Sequence, residues 1–160
     1  MTGFRSICCP IDFSDASRLA LEEAAELARR YEAALTILHV AEPVHGGPEM
    51  AFAPPSQLLE EGSVTALAAW KSDAERLRGG AVGSVLLSGP AAPAIVQYAR
   101  DLGVDLIVMA SHGRTGFRRL VLGSVAEQVI RTAPCGVLVV RHEVVRPRTI
   151  ATDTVEGMPA

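Results

Sequence analysis

Two stretches of the chain hold residue types suited to anion chemistry. The longer is residues 111–124, where Gly113, Gly116 and Gly123 are interspersed with His112, Arg114, Arg118 and Arg119. It follows a short apolar run and leads into a helical pattern at Ser124. Ser124 with Glu127 three residues later fits a capping box, which marks a helix start. A buried strand, a glycine-containing loop and a helix N-terminus make a phosphate-site geometry: backbone N–H groups point outward there and the helix dipole favours an anion. The same letters also describe a plain βα connection whose glycines relieve turns and whose Ser124 only caps. The shorter stretch is Asp12 in ICCPIDFSD. Its carboxylate could accept hydrogen bonds from a ribose or steer a cation riding on phosphates. It could equally help Ser14 or Asp15 cap the next helix.

Other chemistries fit less well. Neither G-x-x-x-x-G-K-[ST] nor G-x-G-x-x-G occurs in the chain, which argues against a P-loop NTPase and an ordinary NAD-binding dehydrogenase. The three cysteines, Cys8, Cys9 and Cys135, form no C-x-x-C pair, so they read as neither a disulfide framework nor a zinc site. Cys8 and Cys9 lie inside an apolar run, where a small hydrophobe is the common role and a redox role the lesser alternative. His39 sits within a strand pattern and reads as a structural or partly exposed imidazole rather than a metal ligand, and His45 has no second ligand at useful spacing. The net charge of −3 gives no electrostatic argument for nucleic acid or membrane partners. No apolar run approaches the ~20 residues that span a bilayer. The first ten residues run straight into a strand pattern without signal-peptide architecture, so a cytoplasmic location is expected.

The elements that must position these residues follow from periodicity. At 160 residues, 49% apolar but only 4% aromatic, the chain reads as one domain whose core is built from Ala, Val, Leu and Ile. Strands are predicted at 7–11, 34–41, 82–88, 104–110 and 136–141. Helices are predicted at about 16–31, 56–79, 91–102 and 124–132. Tyr31 is placed on the first helix's apolar face, Leu67, Trp70, Ala74 and Leu77 on the second's, and Ile95, Ala99 and Leu102 on the third's. Gly62 is a candidate break near the start of the second helix. Residues 42–55, with four prolines and Gly46-Gly47, read as a mobile loop. Residues 1–143 form the domain, and the polar tail 144–160 is expected to be disordered.

Strands alternating with helices give a doubly wound, Rossmann-like α/β fold: a five-stranded parallel sheet with right-handed crossovers and helices on both faces. Strand order 3-2-1-4-5 is the most economical. It puts the switch point between the first and fourth strands, so Asp12 and the 111–124 loop meet at one crevice. It also leaves strand 136–141 at an edge, with no charge among Val137, Leu138, Val139 and Val140, and it is expected to pair with its copy in a second subunit unless the tail folds over it.

Two stretches, ICCPIDFSDASRLAL and IVMASHGRTGFRRLVLGSVAEQVIRTAPCGVLVV, resemble the universal stress protein family. The likeness extends over residues 7–140. It implies a five-stranded α/β fold, a homodimer through the last strand and, in one branch of the family, ATP binding through a motif similar to G-x-x-G-x9-G-[ST]. Gly113, Gly123 and Ser124 match that motif, whereas Ala110 stands at its first glycine. An Ala there would cost about 1–2 kcal/mol at positive φ; at a strand end φ is expected to be negative, and the Ala tolerated.

By position, the resemblance implies that Asp12, flanked by Pro10 and Ile11, contacts the ribose or the metal–phosphate side. Val40 would recognise adenine through its backbone, and Met109 and Ala110 would line the floor under the ribose. His112, Gly113 and Arg114 would approach the phosphates, to which Gly123, Ser124, Val125 and Ala126 would present N–H groups and a hydroxyl. Mg²⁺ would ride on the phosphates of ATP rather than in a protein cage. Hydrolysis needs a group that positions water, and no residue stands out for that task. The chain therefore reads as an ATP-binding regulatory protein with at most slow turnover. The alternatives are a nucleotide-free dimeric interaction module and, more remotely, a thiol enzyme using Cys8 or Cys9.

Overall fold

The computed structural model describes residues 3–42, 56–112 and 122–141. The expected loop after Glu42, Gly113 to Val121 of the glycine- and arginine-containing loop, and the expected tail lie outside the described residues. In chain order the elements are β1 (Ser6–Pro10), α1 (Asp15–Tyr31), β2 (Ala34–Ala41), α2 (Ser56–Arg78), β3 (Gly83–Ser88), α3 (Ala91–Asp101), β4 (Leu106–Ala110), α4 (Ser124–Thr132) and β5 (Gly136–Val140). The strands form one parallel sheet in the order β3-β2-β1-β4-β5, as expected.

The inner strands read as unbroken apolar runs because both faces of the sheet are covered. Alternate side chains go to opposite faces. Ile7 and Cys9 of β1, Leu35 and Ile37 of β2, and Leu106 and Val108 of β4 pack with α1 and α2. Cys8, Leu38, Ile107 and Met109 pack on the other face with α3 and α4. Helix α1 meets the sheet through Ala20, Ala24 and Ala28, all fully buried, so a small-residue face brings the helix close.

Some expected boundaries and faces shift. Strand β1 ends at Pro10, although the Ile11 N–H still donates to the Leu38 carbonyl at 2.8 Å. Helix α2 runs through Gly62 without a break, its Cα facing open space. Leu102 is 61% exposed because it follows the last residue of α3, where helical period no longer sets direction. Leu77 and Tyr31, each within the final turn of its helix, are exposed too.

Candidate crevice at the β1/β4 switch point

Strands β1 and β4 are neighbours, and the chain leaves their carboxyl ends in opposite directions, toward α1 and toward α4. This is where an open α/β sheet forms a ligand crevice. Among the described residues two polar side chains are buried, Ser17 in the first turn of α1 and Ser111 directly after β4.

On the β1 side the Asp12 carboxylate is organised by its own loop. Its Oδ1 accepts the Ser14 N–H at 3.1 Å, the Ser14 hydroxyl, and the Ser17 hydroxyl at 2.6 Å. Ser17 Oγ also accepts the Asp12 N–H at 3.1 Å. Ser14 is the N-cap of α1, its hydroxyl oxygen accepting the Ser17 N–H at 3.2 Å. Asp12 thus supports the cap, the alternative open from the sequence, and its carboxylate is held in one orientation. Between Asp12 and Ser14, Phe13 adopts φ 63°, an uncommon conformation for a bulky residue. Its ring lies 4.3 Å from that of His39 and 5.7 Å from that of Trp70. His39 is structural, as expected: its Nδ1 pairs with the Ile11 carbonyl at 2.8 Å. Trp70 is a packing residue that carries the Arg18 guanidinium 4.0 Å over its ring, while Arg18 pairs with Asp73 at 2.8 Å.

On the β4 side Ser111 joins three segments. Its N–H donates to the Val140 carbonyl at 3.0 Å, its carbonyl accepts the Gly123 N–H at 2.8 Å, and its hydroxyl pairs with His112 Nδ1 at 3.0 Å. His112 Nε2 is buried and finds no hydrogen-bond partner among the described residues. Buried polar atoms are nearly always paired, so such an exception calls for an explanation. A Cβ on Gly123 would stand 3.1 Å from the Ser111 carbonyl oxygen, so any larger residue would require Ser111 and position 123 to move apart by a few tenths of an ångström.

The expected capping box is corrected here. Gly123 is the N-cap of α4 and makes no side-chain cap; Ser124 is the first helical residue and is exposed. The physical reason is the Gly123–Ser111 backbone bond, which fixes the chain one residue earlier than the S-x-x-E pattern suggests. The first N–H groups of the helix, on Ser124, Val125 and Ala126, have no intrahelical acceptor. Ala110 has negative φ, as expected, since Phe13 and Glu32 are the non-glycine described residues with positive φ. Pro10, Ile11 and Met109 are buried beneath the crevice, Val40 lies next to the end of β2, and Val125 and Ala126 pack into the core below α4. Gly113 and Arg114 lie outside the described residues.

The thiols are placed away from this chemistry. Burial, then the nearby Cys135, pushes the Cys8 thiol up to about 12, and burial pushes Cys9 higher. Both are fully buried. The thiolate is the nucleophile, so the thiol-enzyme alternative is set aside. No group of three or more His, Cys, Asp or Glu among the described residues is arranged to hold a metal ion. No helix among them is long and apolar enough to cross a membrane.

Sequence reasoning missed Ser17 and the conformation of Phe13. The D-x-S-x-x-S spacing was the available signal for Ser17; nothing in the letters marks the backbone of Phe13.

Comparison with known proteins adds an independent line. The Universal stress protein family matches residues 3–141. Universal stress protein MJ0531 of Methanocaldococcus jannaschii is 38% identical over 145 residues, covering 86% of this chain and 82% of that protein. The solved structure of universal stress protein UspA from Lactobacillus plantarum superposes with a TM-score of 0.77 at 27% identity, covering 88% of this chain and all of that one. A universal stress protein from Archaeoglobus fulgidus in complex with dAMP shares the fold, with a TM-score of 0.61 at 23% identity, covering 86% and 98%.

Proposed function

The chain belongs to the universal stress protein family, and we propose that it is an ATP-binding regulatory protein of the stress response that takes its nucleotide at the β1/β4 crevice. The observation that carries this reading is the buried Nε2 of His112, which has no hydrogen-bond partner among the described residues, beside the N-terminus of α4. In the tautomer in which Ser111 donates to Nδ1, Nε2 carries a proton and lacks an acceptor. A phosphate oxygen supplies one, next to N–H groups that need the same. The tight Gly123 turn and the negative φ of Ala110 are compatible with a nucleotide brought against the backbone. The Archaeoglobus fulgidus protein holding dAMP supports adenine as the base through the shared fold alone.

In this reading Asp12, beside Pro10 and Ile11, contacts the ribose or the metal–phosphate side, the Val40 backbone meets adenine, and Met109 and Ala110 lie under the sugar. His112, Gly113 and Arg114 would approach the phosphates, to which Gly123, Ser124, Val125 and Ala126 would present N–H groups and a hydroxyl. Bound nucleotide would bring its own Mg²⁺. Residues 1–143 act as the domain, in the cytoplasm, and a homodimer through β5 carries the signal. Hydrolysis is at most slow.

The test is His112→Ala in a direct ATP-binding assay. Removing one hydrogen bond to a charged oxygen should weaken ATP about tenfold or more, with the melting temperature measured alongside because the variant also removes the Nδ1 partner of the buried Ser111 hydroxyl. Wild-type affinity in a folded His112→Ala variant overturns the phosphate assignment and moves the chain to a nucleotide-free module.

A further inference from the structure

The Asp12 carboxylate is aimed from α1. Ser17 is 4% exposed on a helix face otherwise lined by alanine and leucine, including Ala20, Leu21, Ala24 and Ala28. An alanine at position 17 would suit that face equally well, so packing does not require the hydroxyl. Capping does not require it either. Ser14 already caps the helix and accepts the Ser17 N–H. The Ser17 hydroxyl reaches back five residues, out of the helix, and both donates to Asp12 Oδ1 and accepts the Asp12 N–H. Two contacts of opposite polarity to one residue fix both its backbone and its carboxylate.

We propose that Ser17 is a positioning residue for nucleotide binding, acting through Asp12. The inference rests on the nucleotide reading above and deepens it. A carboxylate already turned to its working orientation loses little freedom when a ligand arrives, which is how preorganisation raises affinity. With Ser17 replaced, Oδ1 keeps its two contacts from Ser14 but loses the anchor on α1. Removal of a supporting partner of this kind typically costs tenfold or more in affinity at metal sites.

The experiment is a double-mutant cycle read by ATP titration of full-length protein in the presence of Mg²⁺: wild type, Asp12→Ala, Ser17→Ala and the double variant. A fifth protein, Ala24→Gly, loosens the same helix without touching Asp12 and controls for stability. The expected result is that Ser17→Ala weakens ATP about tenfold in the wild-type background and has no further effect once Asp12 is alanine. Ala24→Gly should lower the melting temperature and leave the affinity unchanged. Three results overturn the inference while leaving the nucleotide site standing: equal losses from Ser17→Ala in both backgrounds, no loss in the wild-type background while Asp12→Ala binds weakly, or an equal loss in Ala24→Gly. If wild type binds no ATP, or Asp12→Ala binds as wild type does, the nucleotide role of Asp12 fails and takes this inference with it.

Discussion

At Gly123 the added methyl of an alanine would meet the Ser111 carbonyl oxygen at 3.1 Å, a contact in which backbone must give way. The glycine therefore relieves a tight backbone approach, whatever binds there. Gly123→Ala should destabilise the protein by about 1–2 kcal/mol, the usual cost of overpacking a tight site, measured by urea denaturation. A substitution there tests the phosphate loop only when stability is measured alongside affinity. His112 is the more direct probe, since its Nε2 makes no bond within the described protein, and the one described side-chain contact the variant removes is that of Nδ1 with the Ser111 hydroxyl. The sequence marked His112 and Gly123 as candidates by residue type and spacing. It did not distinguish a glycine required by a neighbouring carbonyl from one required by a ligand, because that distance exists only after β4 and α4 are brought together.

The elements were more legible than their ends. Apolar, β-branched runs between glycines and prolines locate the strands, and the Ala-rich stripe of α1 locates its buried face. The ends were less legible because a periodic pattern continues past the last hydrogen-bonded residue, which is how Leu102 came to be placed inward. A four-residue pattern such as S-x-x-E likewise cannot say which backbone N–H is already taken. Two element ends yield predictions. Ser14→Ala removes the N-cap of α1 and one contact to Asp12, and should cost about 1 kcal/mol of stability. At the opposite end of the sheet, Asp105 Oδ2 accepts the N–H groups of Arg5 at 2.8 Å and Ser6 at 2.9 Å, joining the start of β4 to that of β1. These bonds hold its carboxyl below the usual carboxylate range. A depressed folded value means that the stabilisation is complete above the unfolded value of about 3.9 and is lost as pH falls through the lower, folded one. The melting-temperature difference between wild type and Asp105→Asn should therefore be greatest above about pH 5 and vanish in acid.

For the whole molecule, the strand order predicted from connection rules matches the sheet because right-handed crossovers leave few alternatives. That order places β5 at an edge, with Leu138 36% exposed there and Ile130 45% exposed on α4 before it. An exposed apolar edge invites pairing. If β5 joins two copies, Leu138→Lys should shift the sedimentation of the protein from twice the chain mass to the chain mass with the fold intact; unchanged sedimentation as a dimer would place the interface elsewhere. Calorimetric titration of nucleotide-stripped protein with ATP and Mg²⁺ is the most direct test of nucleotide binding at the crevice. The expected result is one ATP per chain at micromolar affinity or tighter, about −8 kcal/mol. No heat and no binding in a second, independent assay would contradict it, leaving the β4–α4 connection as a structural turn.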